Sequence, residues 1–556
     1  VFVGSNCGDA TTTGVGNAAV GQEALGTNTS GGYNAALGYN ALKLNETASN
    51  NTAVGYNALA ANTTGSPNTA VGHNALDACT TGGNNNALGK DALGVLTTGS
   101  YNNAFGVSAL AAATSQAASN AFGHNALDVA TDGQHNNAFG AEALGACTTG
   151  SYNCAFGGDA LGALTTASNN TAVGDDAGKA VVTGTGNTFM GANAGAATTG
   201  SDSTAVGYNA MTANTTGINV AMGIYALDAN TTGTSNTALG INALGTNVAG
   251  DQSTAVGHEA LATQNPSGNA DMNNTAIGYR AGYVLSTATN NNLFGAGAGD
   301  AITTGSQNVA IGNNALGAIT TTSGNIAIGY NAMDSGTDGV QNCIAIGTDA
   351  LGSLTASGSG TTPNIGIGYG ALAGCTTGTS NIAIGSWCMD AVVTGNSNIA
   401  IGHAAMTTLT SGGTNTAVGH NSAAALTTGS NNTFFGSTSG DAVSTGSENT
   451  FVGSAAGGAQ TTASNNTAVG FAALDAVETT GQHTAMGHNA LTACTDGTNN
   501  TAFGSQAGAA VTTGSSNVFV GAYAGDAVTT VGSLVAIGHN ALGVNTDGTG
   551  GTAVGA

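Results

Sequence analysis

Apolar and polar positions along this chain follow neither the 3.6-residue period of an amphipathic helix nor a simple alternation, but a 17-residue cycle. Within it a small residue, a large apolar one and a glycine recur together, as in Asn51-Thr52-Ala53-Val54-Gly55-Tyr56-Asn57-Ala58-Leu59. With that glycine as position 0, the context returns from Gly4, Gly21 and Gly38 through to Gly538 and Gly555. There are 33 such anchors, and 27 of the 32 intervals between them are 17 residues long. Position −1 holds Val, Ile, Leu, Phe or Met, −2 is nearly always Ala, +3 is usually Ala and +4 usually Leu. Position +7 is mostly Val, Leu, Ile, Cys, Ala or Asn. Positions +8 to +10 often read Thr-Thr-Gly, as at Thr63-Thr64-Gly65, and Asn clusters just before the apolar triplet. Gly and Asn tolerate positive φ, so both stretches read as turns with short extended segments between them. So short and regular a cycle predicts an all-β fold: a parallel β-solenoid, or β-roll, of about 33 coils.

The departures from 17 are few. Two 16-residue coils end at Gly207 and Gly223, an 18-residue coil at Gly347, and two 21-residue coils at Gly278 and Gly368. The longer ones predict loop insertions near 264–274 and 355–363, carrying Pro266 and Pro363, because proline is excluded from the ladder. No domain boundary is visible, so residues 1–556 are expected to form one continuous solenoid. Both ends fall in mid-coil, which predicts a segment of a longer chain with its caps, anchor and signal sequence elsewhere.

Two recurrences predict how the coils stack. Phe105, Phe122, Phe139 and Phe156 fill −1 in four successive coils, and Ile311, Ile328, Ile346, Ile367, Ile384 and Ile401 in six, as parallel stacked strands would place them. Position −2 is bulky at Phe2, Phe189, Leu293, Phe434, Phe451 and Phe519. Position +4 is Gly at Gly8, Gly178, Gly195, Gly282, Gly299, Gly440, Gly457, Gly508 and Gly525, always in the same coil as a bulky −2 residue or the coil before it. Close packing forces such compensation where two side chains share one space, so −2 and +4 are expected to face each other inside a core of three or four inward side chains per coil.

Composition narrows the function more than the fold. Charged residues are 6 %, Pro only 3 of 556, and the net charge is −24 with just four cations, Lys43, Lys90, Lys179 and Arg280. Such a surface repels phosphate backbones and anionic lipid, so nucleic-acid binding is not expected. No run reaches the 18 or so apolar residues a membrane span needs, so no membrane insertion is expected of this segment.

The chemistry-bearing residues also fall in columns, which dilutes rather than builds a catalytic cluster. Cys79, Cys147, Cys375 and Cys494 at +7 and Cys7 and Cys388 at +3 read as small core residues, with Cys147 and Cys154 the one pair that flanks a single turn. No C-x-x-C pair exists, so neither a zinc site nor a cofactor is expected. Acidic residues recur at +5 (Asp77, Asp128, Asp228, Asp300, Asp390, Asp441, Asp475 and Asp526) and at +9 (Asp132, Asp338, Asp496 and Asp547), where they keep the chain soluble, with weak calcium binding the alternative. Runs of Asn at +7 (Asn28, Asn45, Asn62 and Asn214, Asn230, Asn247) are expected inside, bonded along the axis. Position +1 supplies the candidate surface-contact column: Tyr39, Tyr56, His73, His124, Tyr208, His258, Tyr279, Tyr330, Tyr369, His403, His420, His488 and His539.

The recurring N-T-A-V-G-x-x-A-L, as in Asn68-Thr69-Ala70-Val71-Gly72-His73-Asn74-Ala75-Leu76, resembles the N-S-V-A-I-G-x-x-A head repeat of trimeric autotransporter adhesins. Asn398-Ile399-Ala400-Ile401-Gly402 and Asn325-Ile326-Ala327-Ile328-Gly329 come nearest, and similar repeats occur in phage tail-fibre proteins. The resemblance implies a left-handed parallel β-roll, three chains side by side, displayed outside the cell for attachment. This chain departs from it in a coil of 17 residues rather than about 14, and no stalk, coiled coil or membrane anchor is expected within residues 1–556. The expectation is therefore a non-enzymatic fibre or shaft, extracellular, on a cell surface or on a virion. Its partners would be itself, as a homotrimer or filament, and a host-surface receptor or glycan. A structural filament without a receptor and an ice-binding solenoid, the latter requiring a flat exposed Thr face, are the alternatives.

Overall fold

The computed structural model describes residues 1–336, 339–355, 363–476, 479, 481–544, 546 and 550–555. Among them there is no helix, and the strands are short and parallel, stacked as a β-solenoid with coils of roughly 17 residues. The chain falls into two compact units, Val1–Asn273 and Asn274–Ala556. In the first, strands run from Phe2–Val3 to Thr254–Val256; in the second, from Thr275–Ile277 to Thr552–Val554. Neighbouring coils pair like with like: Phe105↔Phe122 and Phe122↔Phe139 in one unit, Ile326↔Ile344 and Ile382↔Ile399 in the other. The insertion near 264–274 adds a two-residue strand, Ala270–Asp271, parallel to Gly250–Asp251. That of 355–363 lies almost wholly outside the described residues, as do Asp338 and Asp547.

Most strands are three residues long with the middle residue buried, so −2 points in while −3 and −1 point out. The predicted contact between −2 and +4 is present in both units. A Cβ on Gly195 or Gly178 would stand 2.4 or 2.7 Å from the ring of Phe189, and one on Gly440 or Gly457 would meet Phe434 at 2.6 Å or Phe451 at 2.3 Å. Where −2 is Ala, the space is filled by Leu at +4, for example Leu59 and Leu76, both fully buried. These leucines carry φ of 49° and 53°. A left-handed conformation disfavours a side-chain-bearing residue by about 1–2 kcal/mol, and burying a leucine returns roughly 2 kcal/mol.

The core is richer than three or four side chains per coil. In the coil of Gly55 five side chains have no exposure: Asn51 at −4, Ala53, Ala58, Leu59 and Asn62. The additional column is the asparagine before the strand, which the sequence reads as part of a turn. Asn51 Oδ1 accepts the Asn68 backbone N–H at 2.8 Å, and Asn51 Nδ2 donates to the Gly65 carbonyl at 3.1 Å. One amide thus ties each coil to the next and closes its own coil, entry to exit. The arrangement repeats along both units, as at Asn432, which accepts from Asn449 N–H at 2.9 Å and donates to Gly446 O at 2.8 Å.

Two glycine columns have different causes. The anchor glycines sit at φ between 125° and 148°, and a Cβ on Gly55 would lie 2.3 Å from the Gly72 carbonyl oxygen. The glycine of Thr-Thr-Gly does not need positive φ, contrary to the turn reading. At Gly65 the obstacle is the next coil, whose Gly82 carbonyl oxygen would be 2.2 Å from a Cβ. Beside it Thr63 Oγ1 donates to Thr80 O at 3.0 Å, so that hydroxyl serves the stack and not the solvent.

Candidate contact surface

Position +1 follows the anchor glycine at the corner where the strand ends, so its side chain is thrown outward once per coil. The tyrosines there are 41–55 % exposed at Tyr39, Tyr56, Tyr208, Tyr279, Tyr330 and Tyr369. Identical register turns the column into ring stacks wherever aromatic residues follow one another. Tyr39 and Tyr56 lie 5.3 Å apart and Tyr56 and His73 5.1 Å, each pair within 10° of parallel. His403 and His420 stack at 5.4 Å, and His488 stacks on Phe471 at 5.6 Å. Tyr208, Tyr369 and His539 instead meet Tyr225, Trp387 and Tyr523 edge-on. His124 and Tyr330 belong to none of these ring pairs. His258 Nδ1 lies 3.9 Å from Glu259 Oε2, and His73 Nδ1 lies 3.9 Å from Asp91 Oδ1. The stacks cover ring faces and leave edges outward, so the column offers repeated hydroxyl and imidazole groups.

Several aromatic neighbours of the column carry no signal in the repeat. Phe471 (56 % exposed) shares position +1, and Trp387, Tyr225 and Tyr523 stand at +2. Tyr33, Tyr101 and Tyr152 at −5 are more exposed still, with His135 stacked on Tyr152 at 5.0 Å. Their positions vary in residue type from coil to coil, so no column marks them. A shallow open groove of about 670 Å³ was also unforeseen, because it needs Asp128, Glu142, Asp159 and Lys179 from different coils at one edge. Lys179 Nζ lies 2.8 Å from Asp176 Oδ1 and 3.0 Å from Asp159 Oδ2, and these carboxylates raise its pKa.

The cysteines are free and, apart from half-buried Cys154, buried. The Cys147–Cys154 pairing is not formed, because +7 points inward and −3, where Cys154 stands, points outward. Burial pushes the thiols of Cys79, Cys147 and Cys494 up to about 11 and those of Cys375 and Cys388 to about 12, which leaves no thiolate for chemistry at neutral pH. Among the described residues no group of three or more His, Cys, Asp or Glu is placed to hold a metal ion. The +5 carboxylates of Asp77, Asp128, Asp228, Asp300, Asp441 and Asp475 are raised in pKa, first by partial burial. The first Asn run at +7 bonds along the axis, Asn45 Nδ2 to Asn28 Oδ1 at 2.7 Å and Asn62 Nδ2 to Asn45 Oδ1 at 2.9 Å. The second does not. Asn214 and Asn247 each donate to the carbonyl three residues on, and the amide of Asn230 has no partner.

Among the described residues no helix is long and apolar enough to cross a membrane. In comparison with known proteins, the chain matches no family model and no curated protein.

Proposed function

We propose that the chain is a non-enzymatic structural fibre or shaft, displayed outside the cell or on a virion, that attaches through a repeated surface and assembles with copies of itself as a homotrimer. The observation that carries this reading is the in-register stacking of equivalent residues, which presents Tyr and His of position +1 to solvent at the spacing of one coil in the runs Tyr39–Tyr56–His73 and His403–His420. Individually weak contacts at such a column become strong through avidity, because each further contact is made at high effective concentration. A host-surface receptor or glycan is the partner this chemistry fits.

The test joins mass to binding. Light scattering of the intact chain should give three chain masses, and binding to host cells or a glycan array should fall steeply when Tyr39, Tyr56 and His73 are changed together to Ser. Binding that survives that triple change, and the like change at His403 and His420, would remove the column from the reading. An assembled particle that binds nothing would favour the receptor-free filament.

The ice-binding alternative draws on one specific observation. Thr416, Thr433, Thr450, Thr467, Thr484 and Thr501 point outward in six successive coils. Alongside them at −1, however, stand Phe435, Met486 and Phe503, whose bulk breaks the flatness an ice plane requires. Thermal hysteresis in the freezing point would decide in its favour.

A further inference from the structure

The outward positions of the strands, −3 and −1, form two adjacent columns along one face. In the second unit this face runs from Thr275 and Ile277 to Thr552 and Val554. Its centre is isoleucine at both positions in five successive coils: Ile326 and Ile328, Ile344 and Ile346, Ile365 and Ile367, Ile382 and Ile384, Ile399 and Ile401. Val309 and Ile311 extend it by a coil. Stacked neighbours cover the flanks of these side chains, yet Ile311, Ile384 and Ile401 remain 37–40 % exposed, and Phe435 and Phe503 beyond them exceed 50 %. A row of branched side chains in register is a flat, ridged surface of the kind that packs against another sheet about 10 Å away.

Charge sharpens the contrast. The chain carries 28 acidic residues and a net charge of −24, yet no Asp, Glu, Lys or Arg occupies −3 or −1 in any strand of either unit. Carboxylates gather instead at +2 and +5, round the corner from the strand. Two copies meeting at the +5 edge would bring like charges together, whereas two copies meeting through the strand face would not. Seventeen strands at about 4.8 Å, on a face about 10 Å wide, give roughly 800 Å², the area each partner contributes to a standard stable interface.

We propose that this strand face, centred on the isoleucine rows between Val309 and Ile401, is the surface through which a second copy of the chain docks. The inference rests on the reading of the chain as an assembled fibre and assigns the contact within it. It leaves the +1 column and the acidic corner free to face solvent. Rows at −1 of one copy seat in the furrow between the −3 and −1 rows of the other, so the contact is free of charged side chains and apolar at its isoleucine centre.

The test is the mass of the intact chain by light scattering over a concentration series, for wild type and two triple variants. Ile328→Lys, Ile367→Lys and Ile401→Lys together place three like charges on the face. Thr304→Lys, Thr428→Lys and Thr445→Lys place the same charge on the exposed turn column. The expected result is a multi-chain wild type, a turn variant of the same mass, and a face variant reduced to one chain mass with its β-sheet circular dichroism intact. A folded face variant that keeps the multi-chain mass overturns the assignment and leaves the fibre reading standing. A wild type of one chain mass at every concentration overturns both. If the face variant does not fold, hydroxyl-radical footprinting of wild type decides instead. Phe435, Met486 and Phe503 should be protected as the particle assembles, and unchanged reactivity there overturns the assignment.

Discussion

At the residue scale, the buried asparagine column is informative where it is interrupted. His483 occupies one of its places, 1 % exposed, with Nε2 2.8 Å from Gly497 O and Nδ1 accepting the Asn500 N–H at 3.4 Å. Those partners require the neutral ring protonated on Nε2, and burial lowers the pKa below the ordinary histidine value. A lowered folded-state pKa means the unfolded chain takes up the proton first. The stabilisation is therefore complete above about pH 6.5 and is lost as pH falls through the folded value. His483→Asn restores the column's own chemistry, and its urea midpoint at pH 5 should exceed that of wild type; equal midpoints would show the ring is protonated without penalty. Phe189 offers a second test. Phe189→Ala should destabilise by about 3–5 kcal/mol, because glycines at 178 and 195 leave nothing to close the space. Adding Gly178→Leu and Gly195→Leu recreates the pairing found in most coils and should recover most of that loss, since Leu adopts the required positive φ elsewhere in the same column.

At the scale of the coil, stability is an axial property. Backbone groups of one coil bond to the coils on either side, as when Asn57 N–H reaches Tyr39 O at 2.9 Å and Leu59 N–H reaches Ala75 O at 3.0 Å. A defect in one coil is therefore felt in two more. Asn432→Ala strands the Asn449 N–H and the Gly446 carbonyl, two buried groups at about 1–3 kcal/mol each. Chemical denaturation should show a loss of about 2–6 kcal/mol, against well under half of that for Asn432→Ser, because serine serves the same place at Ser203, where its hydroxyl donates to Gly217 O at 2.9 Å. Gly429→Ala probes spacing without a change of φ. Its Cβ would stand 2.1 Å from the Gly446 carbonyl oxygen, so the coils must separate, and a loss of at least ~2 kcal/mol is expected in the same assay. A neutral result would mean the turn gives way freely.

At the scale of the whole molecule, charge governs the response to solution conditions. With 28 acids against four cations, self-repulsion opposes folding at neutral pH and is relieved by salt. The +5 carboxylates act in the same direction. Partial burial raises Asp77, Asp128, Asp228, Asp300, Asp441 and Asp475 above their ordinary values, so the folded chain binds protons more readily than the unfolded one. Stability from these groups should thus rise as pH falls through their raised values, levelling off near the unfolded carboxylate value of about 3.9. Thermal unfolding is expected to move up in temperature between pH 6 and pH 4, and the rise should shrink in Asp441→Asn/Asp475→Asn. A monotonic fall on acidification would show that protonation of His483 and lost ion pairs outweigh the whole column.

What the sequence determines by itself is whatever the repeat makes statistical. The 17-residue period gives the coil, and compensation between −2 and +4 gives a contact because volume is conserved where both side chains are buried. Runs of Phe and Ile at −1 give the register, since a slip of one residue would turn every one of them inward. Only the tertiary structure separates residues whose sequence signatures coincide. Asparagines at −5 and −4 look alike in the chain, yet Asn50 is exposed in a left-handed turn and Asn51 is fully buried, bonded across coils. Glycines at 0 and +10 look alike too, but at +10 the carbonyl of the adjacent coil excludes a side chain while φ stays ordinary. The groove of Asp128, Glu142, Asp159 and Lys179 was hidden for a related reason. It depends on which side chains of different coils share an edge, and stacking fixes that while spacing within one coil does not.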